Sequence, residues 1–91
     1  MYLIEAVSYL DSFNEADTIY AARPWTSLSQ TIIAPEPASG LPPEAVTHSL
    51  VYFLEISVAK EFVSGWAQSL VDQPTLEAMC DRLIQYAVND A

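Results

Sequence analysis

The stretch Leu50-Val51-Tyr52-Phe53-Leu54-Glu55-Ile56-Ser57-Val58 decides the fold class, because a strand pattern changes into a helix pattern within it. Aromatic and β-branched side chains are typical of strands, and 46–56 is the longest strand candidate in the chain. A period of two places alternate side chains on opposite faces. One face would hold Leu50, Tyr52, Leu54 and Ile56, and the other Val51, Phe53 and Glu55. The nearly continuous apolar run predicts a central strand that is covered on most of its length.

Two helices are predicted after this strand. Ser57 is the expected N-cap of a helix over 58–71, since its hydroxyl can accept a hydrogen bond from an early amide. The buried stripe of that helix would consist of Val58, Phe62, Val63, Trp66 and Leu70, which places Trp66 in the core. A break at Asp72-Gln73 precedes Pro74, which fits the first turn of a last helix. Its apolar stripe would consist of Leu76, Met79, Cys80, Leu83, Ile84 and Ala87.

The elements before the strand complete a mixed fold. Helical spacing of apolar residues predicts a helix over 2–12, and β-prone residues predict strands over 18–22 and 28–34. A loop over 35–43 follows, with four of the six prolines. The order α-β-β-β-α-α predicts an α+β fold in one domain, residues 1–91. We expect a small, mostly antiparallel three-stranded sheet with about three packed helices.

Composition and charge exclude several classes of protein. Hydrophobic residues make up 52% of the chain and charged residues 16%, which excludes an intrinsically disordered protein. Twelve acidic against three basic residues give a net charge of −9, so direct binding to nucleic acid or to an anionic membrane is not expected. A single cysteine, and no Lys or Arg in residues 1–15 to begin a signal peptide, lead us to expect a cytoplasmic protein.

No residue pattern predicts catalysis or a cofactor. The only histidine, His48, is expected to be a half-exposed strand residue, and Cys80 is expected to be buried in the last helix. One Cys and one His cannot form a four-ligand zinc site, and the two glycines form no phosphate-binding loop. We therefore expect no cofactor, no metal and no enzymatic activity. A pair of carboxylates that meets in the fold as acid and base is the remaining enzymatic hypothesis.

The segment Arg23-Pro24-Trp25 has two interpretations. A structural role, in which Trp25 closes one end of the core, is the first. In the second, Trp25 is an interface anchor, because Trp and Arg are enriched at the energetic centres of protein interfaces.

The acidic surface also has two interpretations. It can serve solubility alone, or it can capture a basic partner by electrostatic attraction. In the second case the predicted partner-binding residues are Asp11, Glu15, Asp17, Trp25, Glu36 and Glu44.

Two stretches resemble a known group of proteins. Tyr52-Phe53-Leu54-Glu55-Ile56-Ser57-Val58 and the end Tyr86-Ala87-Val88-Asn89-Asp90-Ala91 are similar to small acidic bacterial immunity proteins, best known from contact-dependent growth inhibition and other polymorphic toxin systems. The resemblance covers roughly the C-terminal half. It implies a protein without catalytic residues that binds and neutralises a cognate toxin, which the charge suggests is basic and acts on nucleic acid. The alternative is a small non-catalytic regulatory or adaptor subunit, either monomeric or homo-oligomeric.

Overall fold

The structure is a computed structural model that describes residues 1–90; Ala91, the last residue of the C-terminal stretch quoted above, lies outside them. Within the described residues the helices are α1 (Leu3–Ser8), α2 (Pro43–Thr47), α3 (Ile56–Gln68) and α4 (Leu76–Asp90), and a 3₁₀ turn covers Leu10–Ser12. The strands are β1 (Asp17–Ala21), β2 (Thr31–Pro35) and β3 (Val51–Glu55). They form one antiparallel sheet in the order β2-β1-β3. The predicted α+β class with a three-stranded antiparallel sheet is confirmed.

The sheet has a packed layer on each face. The main core lies between one face and the helices α1, α3 and α4, and it contains Ile19, Ala21, Phe53 and Leu54. A smaller cluster on the other face joins Tyr20 to Ala45 of α2 and to Leu50. Residues 18–21 of β1 are at most 1% exposed because both layers cover this strand. The central strand is therefore β1, and the prediction that 46–56 forms the central strand is wrong.

A β-bulge in β3 corrects the predicted division of its side chains between two faces. Ile19 pairs with Leu54 and Tyr20 pairs with Tyr52, so Phe53 is an extra residue without a partner on β1. Phe53 and Leu54 consequently both enter the main core. Since directly paired residues point to the same face, Tyr52 and Glu55 share the face of Tyr20, which we call the outer face.

The first part of the predicted strand 46–56 is helical. Pro43 occupies the first turn of α2, where its missing amide costs nothing, and the Thr47 hydroxyl donates to the Pro43 carbonyl at 3.0 Å. The helix ends at His48, and Ser49 follows with a φ of 57°. His48 is thus an exposed residue at a helix end, and its prediction as a strand residue is wrong.

The N-terminal helix ends earlier than the predicted 2–12. After Ser8 the chain continues as the 3₁₀ turn, in which the Ser12 hydroxyl donates to the Tyr9 carbonyl at 2.7 Å. Local bonds of this kind compete with regular helix formation.

The two long helices also differ from prediction at their ends. Helix α3 follows β3 directly with Glu55 as its N-cap, so Ser57 is not the cap, and it ends at Gln68, which leaves Leu70 39% exposed. Helix α4 begins after Thr75, whose hydroxyl accepts a hydrogen bond from the Ala78 amide at 3.1 Å, so Pro74 precedes its first turn. Within residues 1–90, none of the helices combines the length and apolar character that crossing a bilayer requires.

Candidate functional site

A groove of about 760 Å³ lies beside β3, at the edge of the sheet. Three parts of the chain form it: the segment after β1, the start of β3, and the last turns of α4. Its lining residues are Arg23, Pro24, Trp25, Val51, Tyr52, Ala87 and Val88. We call it the edge groove. Its walls are largely apolar, and its volume is in the range of small-ligand and peptide sites.

Trp25 is held in the edge groove by three contacts. Its indole Nε1–H donates to the Ala21 carbonyl at 3.2 Å, and its ring packs edge-on against Phe53 with centroids 4.9 Å apart. The Arg23 guanidinium carbon lies 4.8 Å from the Trp25 ring centroid. Trp25 packs against the main core and remains only half-buried. It therefore closes one end of the core, as the structural interpretation expects, and still offers part of its ring to a partner.

Three acidic residues lie at the end of the sheet that is far from Trp25. Asp17 pairs with Pro35, which is followed by Glu36, and Thr18 pairs with Glu55. We call Asp17, Glu36 and Glu55 the acidic end. Burial raises the pKa of Tyr52, and the negative charges of Glu55 and then Glu36 raise it further. Burial and then Glu36 likewise raise the pKa of Tyr20, so both carboxylates act on the outer face.

The predicted partner-binding residues do not form one patch. Asp17 and Glu36 lie at the same end of the sheet, as does Glu55, which sequence reasoning did not select. The alternation of side chains places Asp17 on the face of Ile19, whereas Glu36 and Glu55 act on the outer face. Glu44 lies on α2, exposed. Trp25 contacts Ala21 at the opposite end of β1, and Ala21 lies about 13 Å along the strand from Asp17 at the usual rise per residue.

Asp11 and Glu15 belong to a different surface, around Lys60. The Lys60 Nζ lies 3.8 Å from the Glu15 carboxylate and donates to the Phe13 carbonyl at 3.3 Å. Asp11 lines a depression together with Lys60. The charge of Glu15 is therefore partly neutralised within the chain, unlike the acidic end.

A second groove, of about 580 Å³, lies between α3 and α4. Phe62 and Tyr86 stack there with centroids 4.3 Å apart, and the Arg82 guanidinium carbon lies 5.7 Å from the Phe62 centroid. Trp66 lines this groove and is half-buried, so the prediction that it is a core residue is wrong.

The nucleophile and base candidates are poorly placed for catalysis. Cys80 is fully buried in α4, as predicted, and burial, followed by the charges of Asp81 and Glu77, raises the pKa of its thiol to about 11. A protonated, inaccessible thiol is a poor nucleophile. His48 is exposed, and residues 1–90 contain no group of three or more His, Cys, Asp and Glu side chains placed to hold a metal ion.

Comparisons with known proteins add no relative. No family model matches the chain, and neither a curated protein nor a solved structure matches it. The functional proposal therefore depends on the edge groove, on the acidic end and on the sequence resemblance.

Proposed function

We propose that this protein is a cytoplasmic, non-catalytic immunity protein that binds and neutralises a basic, nucleic-acid-acting toxin domain. Its binding would block the active site or the substrate groove of the toxin. The observation that carries the proposal is the edge strand β3, which has the edge groove with half-buried Trp25 at its start and Glu55 of the acidic end at its other end. Among the described residues, no salt bridge pairs Asp17, Glu36 or Glu55 with a cation.

The two parts of this surface would have different roles. Exposed carboxylates attract a basic protein over a distance, so they raise the rate of association more than they slow dissociation. An aromatic side chain that is already fixed by its own chain loses little entropy on binding, so Trp25 would mainly slow dissociation. The sequence resemblance to immunity proteins supports the same assignment, because those proteins act by binding.

The test is binding to the product of the adjacent reading frame, measured by stopped-flow or surface kinetics at two salt concentrations. Each single charge reversal at the acidic end, Glu36→Lys or Glu55→Lys, should slow association by about threefold at low salt. The matched control is Glu77→Lys, an exposed change at the start of α4, about 15 Å or more along the helix from the groove. It should have a smaller effect. Failure of the wild-type protein to bind that product would refute the proposal.

A second candidate is a small regulatory or adaptor subunit that associates with itself. It is favoured by large apolar side chains exposed away from the edge groove, namely Val71 at 101%, Leu28 at 64% and Val46 at 62%. Sedimentation velocity over a range of protein concentrations separates the two. The immunity proposal expects a monomer in the absence of its partner, whereas the subunit hypothesis expects a concentration-dependent oligomer.

A further inference from the structure

One edge of the sheet is paired with another segment of the chain, and the other edge is not. At the β2 edge, the Thr31 amide donates to the Met1 carbonyl at 2.8 Å, and Tyr2 forms a bridge with Gln30. The N-terminal segment therefore covers the start of β2. At the other edge, no strand within residues 1–90 pairs with the outer side of β3. A strand edge of this kind offers free backbone donors and acceptors to another chain.

The edge groove lies where the side chains of an added strand would fall. A strand that pairs with β3 would lie about 4.8 Å from it, between β3 and the last turns of α4. Its alternate side chains would then point to the two faces of the extended sheet. On the core face they would meet Val51, Trp25 and the 64% exposed Val88, which form an apolar wall. On the outer face they would meet Tyr52 and Glu55.

The charges near β3 indicate which kind of protein could add a strand to it. Glu55 lies on the outer face of β3, and Glu36 follows the end of β2 at the same end of the sheet. A second copy of the chain would bring its own net charge of −9 to this surface, which opposes self-association. A basic partner is attracted by the same negative charges. The core-face wall, in contrast, requires apolar side chains.

We infer that β3 is a docking strand for an extended segment of a basic protein in which apolar and basic residues alternate. The apolar side chains of that segment would enter the edge groove, and its basic side chains would lie on the outer face, the nearest of them toward Glu55. Backbone hydrogen bonds to β3 would provide affinity, and the alternation would provide specificity. This inference rests on the proposed function and names the part of the toxin that is recognised.

The probe is a blocked peptide of about nine residues in which valine and lysine alternate, a length that spans β3 with one or two residues beyond each end. Binding is measured by calorimetry, and the amides of 51–55 are followed by hydrogen exchange. The peptide should bind and slow the exchange of β3 amides. N-methylation of alternate peptide nitrogens removes the hydrogen bonds of one edge and should weaken binding by about tenfold or more. A peptide of alternating valine and glutamate should not bind.

Two exposed substitutions on the protein separate the groove from general charge effects. Val88→Asp places a carboxylate on the apolar wall and should weaken binding of the valine-lysine peptide by about tenfold. Val71→Asp adds the same charge at a fully exposed position outside the groove and should leave the affinity within about twofold. Both changes are at exposed positions, so both proteins should fold, which circular dichroism checks.

The inference is overturned by equal binding of the N-methylated peptide, by equal effects of the two aspartate substitutions, or by absence of binding. A dimer that protects β3 amides in the free protein would replace the basic partner by a second copy and would also overturn it. Failure of strand docking and failure of the proposed function give different results. If the adjacent gene product binds but the valine-lysine peptide does not, the proposed function is retained and strand docking is refuted. If the peptide binds but the adjacent gene product does not, strand docking is retained and the proposed function is refuted.

Discussion

Replacement of Trp25 by alanine should lower the free energy of unfolding by about 3 kcal/mol. The edge-on contact with Phe53 contributes about 1 kcal/mol, and the hydrogen bond to the Ala21 carbonyl contributes about 1 kcal/mol. Apolar surface of a half-buried indole adds about 1 to 2 kcal/mol. In a domain of this size, a loss of 3 kcal/mol lowers the melting temperature by about 12 to 24 °C.

The assay is urea unfolding followed by far-ultraviolet circular dichroism, which does not depend on the tryptophan that is removed. Two variants serve as controls. Trp25→Phe retains much of the ring contact with Phe53 but loses the indole donor, so it should cost about 1 kcal/mol. Trp66→Ala removes the other half-buried indole, from the groove between α3 and α4, and should cost about 1 kcal/mol.

A Trp25→Ala protein whose unfolding free energy lies within about 0.5 kcal/mol of the wild type would refute the reasoning. Trp25 would then contribute nothing to the core, and its contacts with Phe53 and Ala21 would have no energetic weight. The same result combined with fast dissociation from a partner would assign Trp25 to recognition alone.

Three further outcomes are expected. Gly65→Ala should raise the free energy of unfolding by about 1 kcal/mol in urea titrations, because Gly65 lies within α3 and an added Cβ meets nothing within 4 Å; an unchanged or lowered value would contradict this. Cys80 should react with a thiol reagent only after unfolding. Because burial raises the pKa of its thiol from 9.0 to about 11, the native state should lose stability as the pH rises from 9 to 11. The Cys80→Ala variant should lose less stability over the same pH range. Glu15→Gln should change the unfolding free energy by less than about 0.5 kcal/mol, since the carboxylate is 70% exposed; a larger loss would show that the contact with Lys60 is structural.

The fold class was accessible from sequence because it depends on local periodicity. The stripes of α3 and α4 and the β-prone runs each predict an element without reference to the others. Which strand is central depends on pairing, which no local pattern contains. The length of the apolar run favoured 46–56, whereas the chain buries the shorter β1 on both faces.

The bulge at Phe53 shows how a strand can be predicted correctly while its side chains are assigned to the wrong faces of the sheet. A strict period of two puts Phe53 and Leu54 on opposite faces, but the register shift between Ile19 and Tyr20 turns both into the core. Helix α2 was missed for another reason: the two prolines at 42–43 were interpreted as a loop signal, although Pro43 fits a helix start.

The candidate site was only partly predictable, because its residues are joined by strand register. Asp17 and Glu36 are candidates because of their charge, and the register of β1 and β2 places both at the same end of the sheet. Glu55 was not selected, since in sequence it is one carboxylate within an apolar strand. The edge groove depends on the distant α4, whose Val88 meets the segment around Trp25 only in the folded chain.

The position of the acidic end also bears on whether the charge serves solubility alone or recognition as well. Solubility requires only a net charge, which could be spread evenly, whereas Glu36 and Glu55 lie at one end of the sheet and both act on its outer face. An excess of charge of one sign opposes folding, and salt that screens it stabilises the folded chain. The same salt would slow capture of a basic partner. Opposite effects of salt on stability and on association are therefore expected if the charge serves recognition, whereas solubility alone predicts only the effect on stability.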